Sequence, residues 1–99
     1  MTKTYQVNLT HQAQKDLERI FYYIAADSFN NAVNFVLELE VKVYSLETFP
    51  NRHPLIRENE FFGTDYRQLI YKKYRIVYRI IDNSVFILRI IHGANLLKL

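Results

Sequence analysis

The stretch KKYRIVYRIIDNSVFILRIIH, residues 72 to 92, reads as two apolar strands about a turn, yet six of its residues are basic: Lys72, Lys73, Arg75, Arg79, Arg89 and His92. Between Arg67 and Lys98, seven Lys or Arg stand against one acid, Asp82, while the other acids sit mainly earlier, in KDLERI, LELE and RENE. A basic C-terminal third suits a polyanionic partner, either nucleic acid or an acidic polypeptide. Arginine is apt for that work, because its planar fork grips phosphate in two directions and stays charged at any relevant pH. The plainer reading of the same arginines is a solvated sheet face. His53 and His92 are side chains that titrate near neutrality. His11 falls in a first helical turn and reads as surface. Tyr71, Tyr74 and Tyr78 are good strand formers and read first as packing.

The composition narrows the classes. Ninety-nine residues, about half of them hydrophobic and with only two Gly and two Pro, make one compact domain over residues 1–99. The net charge is +3 and the pI is near 9.2. With no cysteine, disulfides and thiolate metal sites are excluded. MTKTYQVNLT lacks the apolar core of a secretory signal, and VFILRII is too short for a bilayer and contains Arg89. A soluble cytoplasmic protein is expected. No glycine-rich phosphate loop, His-Glu-x-x-His or Gly-x-Ser-x-Gly occurs, and three scattered histidines make a poor zinc site, so no metal or cofactor is expected.

The elements that must position the basic residues follow from periodicity. TYQVNL alternates, with Tyr5, Val7 and Leu9 on one side, and predicts a half-buried strand. Thr10 N-caps a helix to about Ala26 with the stripe Ala13, Leu17, Ile20, Phe21 and Ile24, and Tyr22 and Tyr23 are expected to pack on its flank. After the break ADSFNN, Ser28 or Asn30 caps a second helix carrying Val33, Val36, Leu39, Val43 and Leu46, which stops before Pro50. Residues 50–65 read as loop, 66–71 as a strand, and the hairpin follows. The expected fold is α+β: an N-terminal strand at a sheet edge, an antiparallel helical hairpin, then a three-stranded antiparallel meander with the helices on one face. The other face is expected to be open, and function to sit there.

Register decides which basic residues share that face. A two-residue Asp82-Asn83 turn sets Ile81 opposite Ser84 and groups Arg75, Val77, Arg79 and Ile81 with Phe86, Leu88, Ile90 and His92. The more apolar set, Tyr74, Ile76, Tyr78, Ile80, Val85, Ile87 and Ile91, packs on the helices. Arg89 then falls on the packed side and must reach an edge or a carboxylate. A three-residue turn instead groups Arg89 with Arg75 and Arg79 and moves His92 away.

Taken together, YQVNLTHQAQKDLERIFYYIA, VYSLETFPNRHPLI and YRQLIYKKYRIVYRIIDNSVFILRIIHGA resemble the RelE/ParE family of bacterial type II toxin-antitoxin toxins. The resemblance spans nearly the whole chain and is most specific in the closing strands, Tyr-Arg-x-x-Tyr-Arg followed by an apolar strand ending His-Gly. It implies the fold just described and a growth-inhibiting toxin neutralised by an antitoxin with an acidic, partly disordered segment, expected against the helical hairpin and sheet edge. RelE-like members cleave mRNA on the ribosome without metal, whereas ParE-like members poison DNA gyrase without catalysis. The long helical hairpin looks more like ParE. Arg75, however, falls where the nucleases keep an arginine, and His92 falls near a catalytic histidine of some of them. Some nucleases carry Glu where this chain has His53.

The resemblance therefore implies first a ribosome-dependent endoribonuclease, with a gyrase inhibitor or an inactive antitoxin-binding remnant as alternatives. For the nuclease, His53 and His92 would be base and acid in either order, and Arg75 and Arg67 would stabilise the phosphorane. Lys72, Lys73 and Arg79 would hold RNA backbone, and Tyr71 or Tyr74 would stack on a base.

Overall fold

The computed structural model describes residues 3–97. Strand β1 (Gln6–Leu9) leads into helix α1 (His11–Ala25), which turns into α2 (Phe29–Tyr44). Two 3-10 turns and a single-turn helix α3 (Asn59–Phe62) precede β2 (Arg67–Tyr71), β3 (Tyr74–Ile81) and β4 (Ser84–His92). The expected caps form. Thr10 Oγ accepts from the Ala13 N–H at 3.2 Å, and Ser28, rather than Asn30, accepts from the Asn31 N–H at 3.2 Å. The Thr10 hydroxyl also donates to the Ile87 carbonyl at 2.7 Å, so the same residue that starts α1 ties it to β4.

The sheet order is β1-β4-β3-β2: an antiparallel meander with β1 added parallel to β4 at the edge. Helix faces built on Ala13, Ile20, Leu39 and Val43 cover one side, against Ile76, Tyr78, Val85, Ile87 and Ile90. The α+β arrangement is the one the periodicity predicts.

Two expectations change. The second sheet face is not open, because Ile56 from the 53–66 segment and Leu97 from the tail close over Val77 and Ile91, with Tyr66 at the border. The hairpin register changes along its length. Near the turn it is the two-residue form, Ile81 opposite Ser84, with Asp82 at φ 53°. Further on, Tyr78 pairs with Ile87 but Val77 pairs with Arg89, so Leu88 is an extra residue, a β-bulge. One inserted residue reverses every later side chain. Ile90 therefore joins the helix-side core beside Ile76, Ile91 joins the opposite cluster, and His92 pairs with Tyr74 rather than sharing a face with Arg75 and Arg79.

Candidate functional site

Arg75 is the best-anchored of the predicted residues, and it is not on an open surface. It is buried, and its guanidinium is divided among four acceptors. Nη1 donates to Glu58 Oε1 and Gln68 Oε1, both at 3.1 Å, while Nη2 bonds Glu58 Oε2 and donates to the Asn95 carbonyl at 2.8 Å. Glu58 also accepts the Leu97 N–H at 3.1 Å, so one ion pair joins β3, the approach to α3 and the C-terminal tail. The Arg75 hydrogen bonds hold the Glu58 carboxyl down at about 2, against the opposing effect of burial, with help from the Leu97 N–H.

Arg79 shares that side of β3. It is half-buried, its guanidinium lies 6.0 Å from the Tyr66 ring centroid, and its Nε is shielded and lacks a hydrogen-bond partner among the described residues. The expected exposed group of Arg75, Arg79 and His92 is therefore corrected. The covering loop and tail bury the first and partly bury the second, and the bulge moves the third.

Arg89, opposite Val77 past the bulge, finds a carboxylate. Its Nε donates to Asp16 Oδ2 at 2.8 Å and its Nη2 to Oδ1 at 3.2 Å. Asp16 also accepts from Arg19 Nη1 at 3.1 Å and from the Ile90 N–H at 2.9 Å, satisfying a strand donor beyond the end of β1. Asp16 was missed in the sequence, although the signal was present: an acid three residues after Ala13 and four before Ile20 lies on the buried stripe.

The two histidines sit on different segments, His53 in the loop after α2 and His92 at the end of β4. His92 is exposed at the end of β4, edge-on to Tyr74 at 5.7 Å, and its Nδ1 accepts the Ala94 N–H at 3.3 Å. His53 is half-buried after α2, edge-on to Tyr78 at 6.4 Å, and its pKa is lowered by burial and by the Arg52 charge. Tyr74 and Tyr78 are four residues apart on one strand, roughly 13 Å, and each histidine packs on a different one of these rings. Arg67 stays with His53, donating from Nη1 to its carbonyl at 2.6 Å. The Tyr78 hydroxyl donates to the Pro50 carbonyl at 2.5 Å, and burial pushes its pKa up to about 12.

The proposed backbone-holding residues divide as well. Lys72, in the left-handed turn before β3, pairs with Glu38 of α2 at 3.2 Å, and the Tyr71 hydroxyl donates to the same carboxylate. Lys72 also lies over the Phe35 and Tyr71 rings. Lys73 is exposed, and its carbonyl accepts the Gly93 N–H at 2.7 Å. Tyr74 is half-buried, its pKa raised by burial and by the nearby Tyr23 phenol.

Two of the clefts on the helix side bear on function. One, of about 410 Å³, runs between α1 and α2 with an apolar floor including Leu17, Phe21 and Val36 and acidic rims Glu18 and Glu40. Beside it α2 turns Leu37, Val41 and Tyr44 to solvent, with Val41 68% exposed. The other, of about 330 Å³, lies between α1 and the end of β4 and gathers Arg19, Tyr23, Tyr74, Arg89, His92 and Asn95. Tyr22 and Tyr23, expected as packing, are exposed. Among the described residues no group of His, Asp and Glu is placed to hold a metal ion, and no helix is long and apolar enough to cross a membrane.

A family model described as "ParE toxin of type II toxin-antitoxin system, parDE" matches residues 7–97. No curated protein sequence matches the chain. The solved structures to which the chain is similar include two toxin-antitoxin systems. One is the chromosomal ParDE system from P. aeruginosa, with a TM-score of 0.74 and 22% identity over 92% of this chain and 98% of that one. The other is the toxin-antitoxin complex RelBE2 from Mycobacterium tuberculosis, with a TM-score of 0.67 and 26% identity over 93% and 94% of the two chains.

Proposed function

The chain belongs to the ParE toxin family of type II toxin-antitoxin systems, and from that premise we propose that residues 1–99 act as one toxin domain that arrests growth by binding its target, DNA gyrase, rather than by cutting RNA. The observation that carries this reading is the state of Arg75. A phosphorane-stabilising arginine must present donors to the reacting phosphate. Here the two terminal nitrogens are already bonded to Glu58, Gln68 and Asn95, and the charge is neutralised at the pair.

The test runs two assays on the purified protein. Inhibition of gyrase supercoiling together with an intact messenger on programmed 70S ribosomes is expected. A discrete A-site cut in primer extension would overturn this reading in favour of the nuclease, with His53, His92, Arg75 and Arg67 as the residues to replace. Neither effect, with no growth defect on expression, would leave an antitoxin-binding remnant.

The neutralising partner is a cognate antitoxin, and the apolar α1–α2 cleft with the exposed α2 side chains is its docking surface. The rims Glu18 and Glu40 favour a segment whose apolar residues are flanked by Lys or Arg. An acidic stretch of the same antitoxin would be better matched at the basic sheet end around Lys73. Val41→Glu is expected to leave toxicity intact while abolishing rescue by co-expressed antitoxin. Rescue equal to that of the unmodified chain would remove α2 from the interface.

A further inference from the structure

We propose that the outer edge of β2 is the docking surface for the target, taking an extended acidic segment of that protein as a fifth strand. This rests on the reading of the chain as a gyrase-binding toxin, and it names the surface that does the binding. β2 stands at the end of the sheet, so one side of its backbone faces no other strand. The first part of that side is covered by the preceding loop. The Gln68 N–H donates to the Pro54 carbonyl and the Ile56 N–H to the Tyr66 carbonyl, each at 3.0 Å, and Leu55 bridges to Arg67. The cover stops there. Backbone groups alternate sides along a strand, so Ile70 presents its N–H and C=O on the same side as Gln68, beyond the end of the cover. A strand edge left in this state is a template for another chain.

The side chains along this edge set the kind of strand it takes. Leu55 and Ile70 are each 56% exposed and flank a cleft of about 310 Å³ that Arg57, Gln68, Arg75 and Gly93 complete. Gln68, Ile70 and Arg75 alternate with Leu69 and Ile76 of the helix-side core, so the cleft lies on the sheet face away from α1 and α2. Its lining holds two arginines and no acid. Arg75 is neutralised by Glu58, whereas Arg57 and, at the end of the strand, Lys73 are exposed and form no ion pair among the described residues. In strand addition the main chain supplies affinity, and alternate side chains seated in pockets supply specificity. The matching segment carries an apolar residue for the Leu55–Ile70 cleft, with Asp or Glu beside it for Arg57 and Lys73. A second copy fits poorly, because pairing β2 with β2 would gather two sets of these cations on chains of net charge +3.

The test measures binding of the purified chain to intact DNA gyrase by biolayer interferometry at low and high salt. Ile70→Pro removes the outward N–H without taking a bond from β3. It is expected to weaken binding about tenfold at both salts, the effect of one lost main-chain hydrogen bond. Arg57→Glu and Lys73→Glu are expected to weaken it about tenfold at low salt, through the association rate, and much less at high salt. Both cations are exposed, so these two variants should melt like the parent and carry the test if Ile70→Pro does not fold. Lys15→Glu, the same charge change on an exposed position of α1, is the control and should bind like the parent. A parent that binds gyrase while all three variants bind equally well would overturn this surface and leave gyrase as the target. Equal weakening by Lys15→Glu would also overturn it, since net charge would then account for the effect. A parent that does not bind gyrase would overturn the target reading and this surface with it. Dimers in sedimentation equilibrium that Ile70→Pro abolishes would make a second copy the occupant instead.

Discussion

Asp16 and Glu58 are carboxylates with side chains 0% and 5% exposed, and each is answered by an arginine far away in the chain. Separating either pair leaves a charge stranded out of water, which typically costs about 3–5 kcal/mol. Glu58→Gln keeps the shape but removes the charge, so urea unfolding at pH 7 should show a loss of that order. The pH dependence follows from the depressed Glu58 value. Its carboxyl titrates at about 2 in the fold against 4.5 ordinarily, so the unfolded chain binds the proton more readily. Stability from this group is therefore full above about 4.5 and is lost as pH falls toward 2. It amounts to about 3 kcal/mol at ~1.4 kcal/mol per unit. Unfolding free energies measured between pH 2 and pH 5 should rise in the parent and rise much less in Glu58→Gln. None of this was legible at Glu58, because an acid in a polar loop reads as solvated. The basic partners were conspicuous, and Arg89 announced its need for a carboxylate by landing among apolar residues.

At the scale of elements, both helices, their caps and the Asp82-Asn83 turn were legible, because each carries a local signature: a stripe of period 3.6, a hydroxyl before it, or residues that tolerate positive φ. The bulge was not. In VFILRII both parities are largely apolar, so no side chain protests whichever way the strand is turned, and no glycine marks Leu88. The register stayed open for that reason: a two-residue turn sets His92 with Arg75, a three-residue turn sets it apart, and the bulge makes the first pairing true near the turn and the second beyond Leu88. Deleting Leu88 removes the bulge while keeping Ile90 opposite Ile76 and Ile91 opposite Arg75, so both core faces are retained. Thermal denaturation followed by circular dichroism should show a cooperative transition with at most a modest loss of stability. Loss of the cooperative transition would mean that the residues after the bulge do not hold their register without Leu88.

Over the whole molecule, one apolar stripe and one basic end stand out. The α2 side carries exposed Leu37 and Val41 beside acidic rims, whereas the sheet end carries Lys73 and His92. Val41→Glu should change unfolding free energy by no more than about 0.5 kcal/mol, as exposed substitutions do. A large destabilisation in urea would show that the stripe serves the fold rather than a partner. The order of the strands has a consequence of another kind. β1, made first, pairs only with β4: Gln6 lies opposite Ser84, 78 positions later (84 minus 6). Thr10 likewise anchors α1 through the Ile87 carbonyl. Long-range pairing of this kind waits for the distant segment. During synthesis the sheet therefore cannot close until residues 84–87 have emerged, so a chain stopped short of β4 cannot complete the fold.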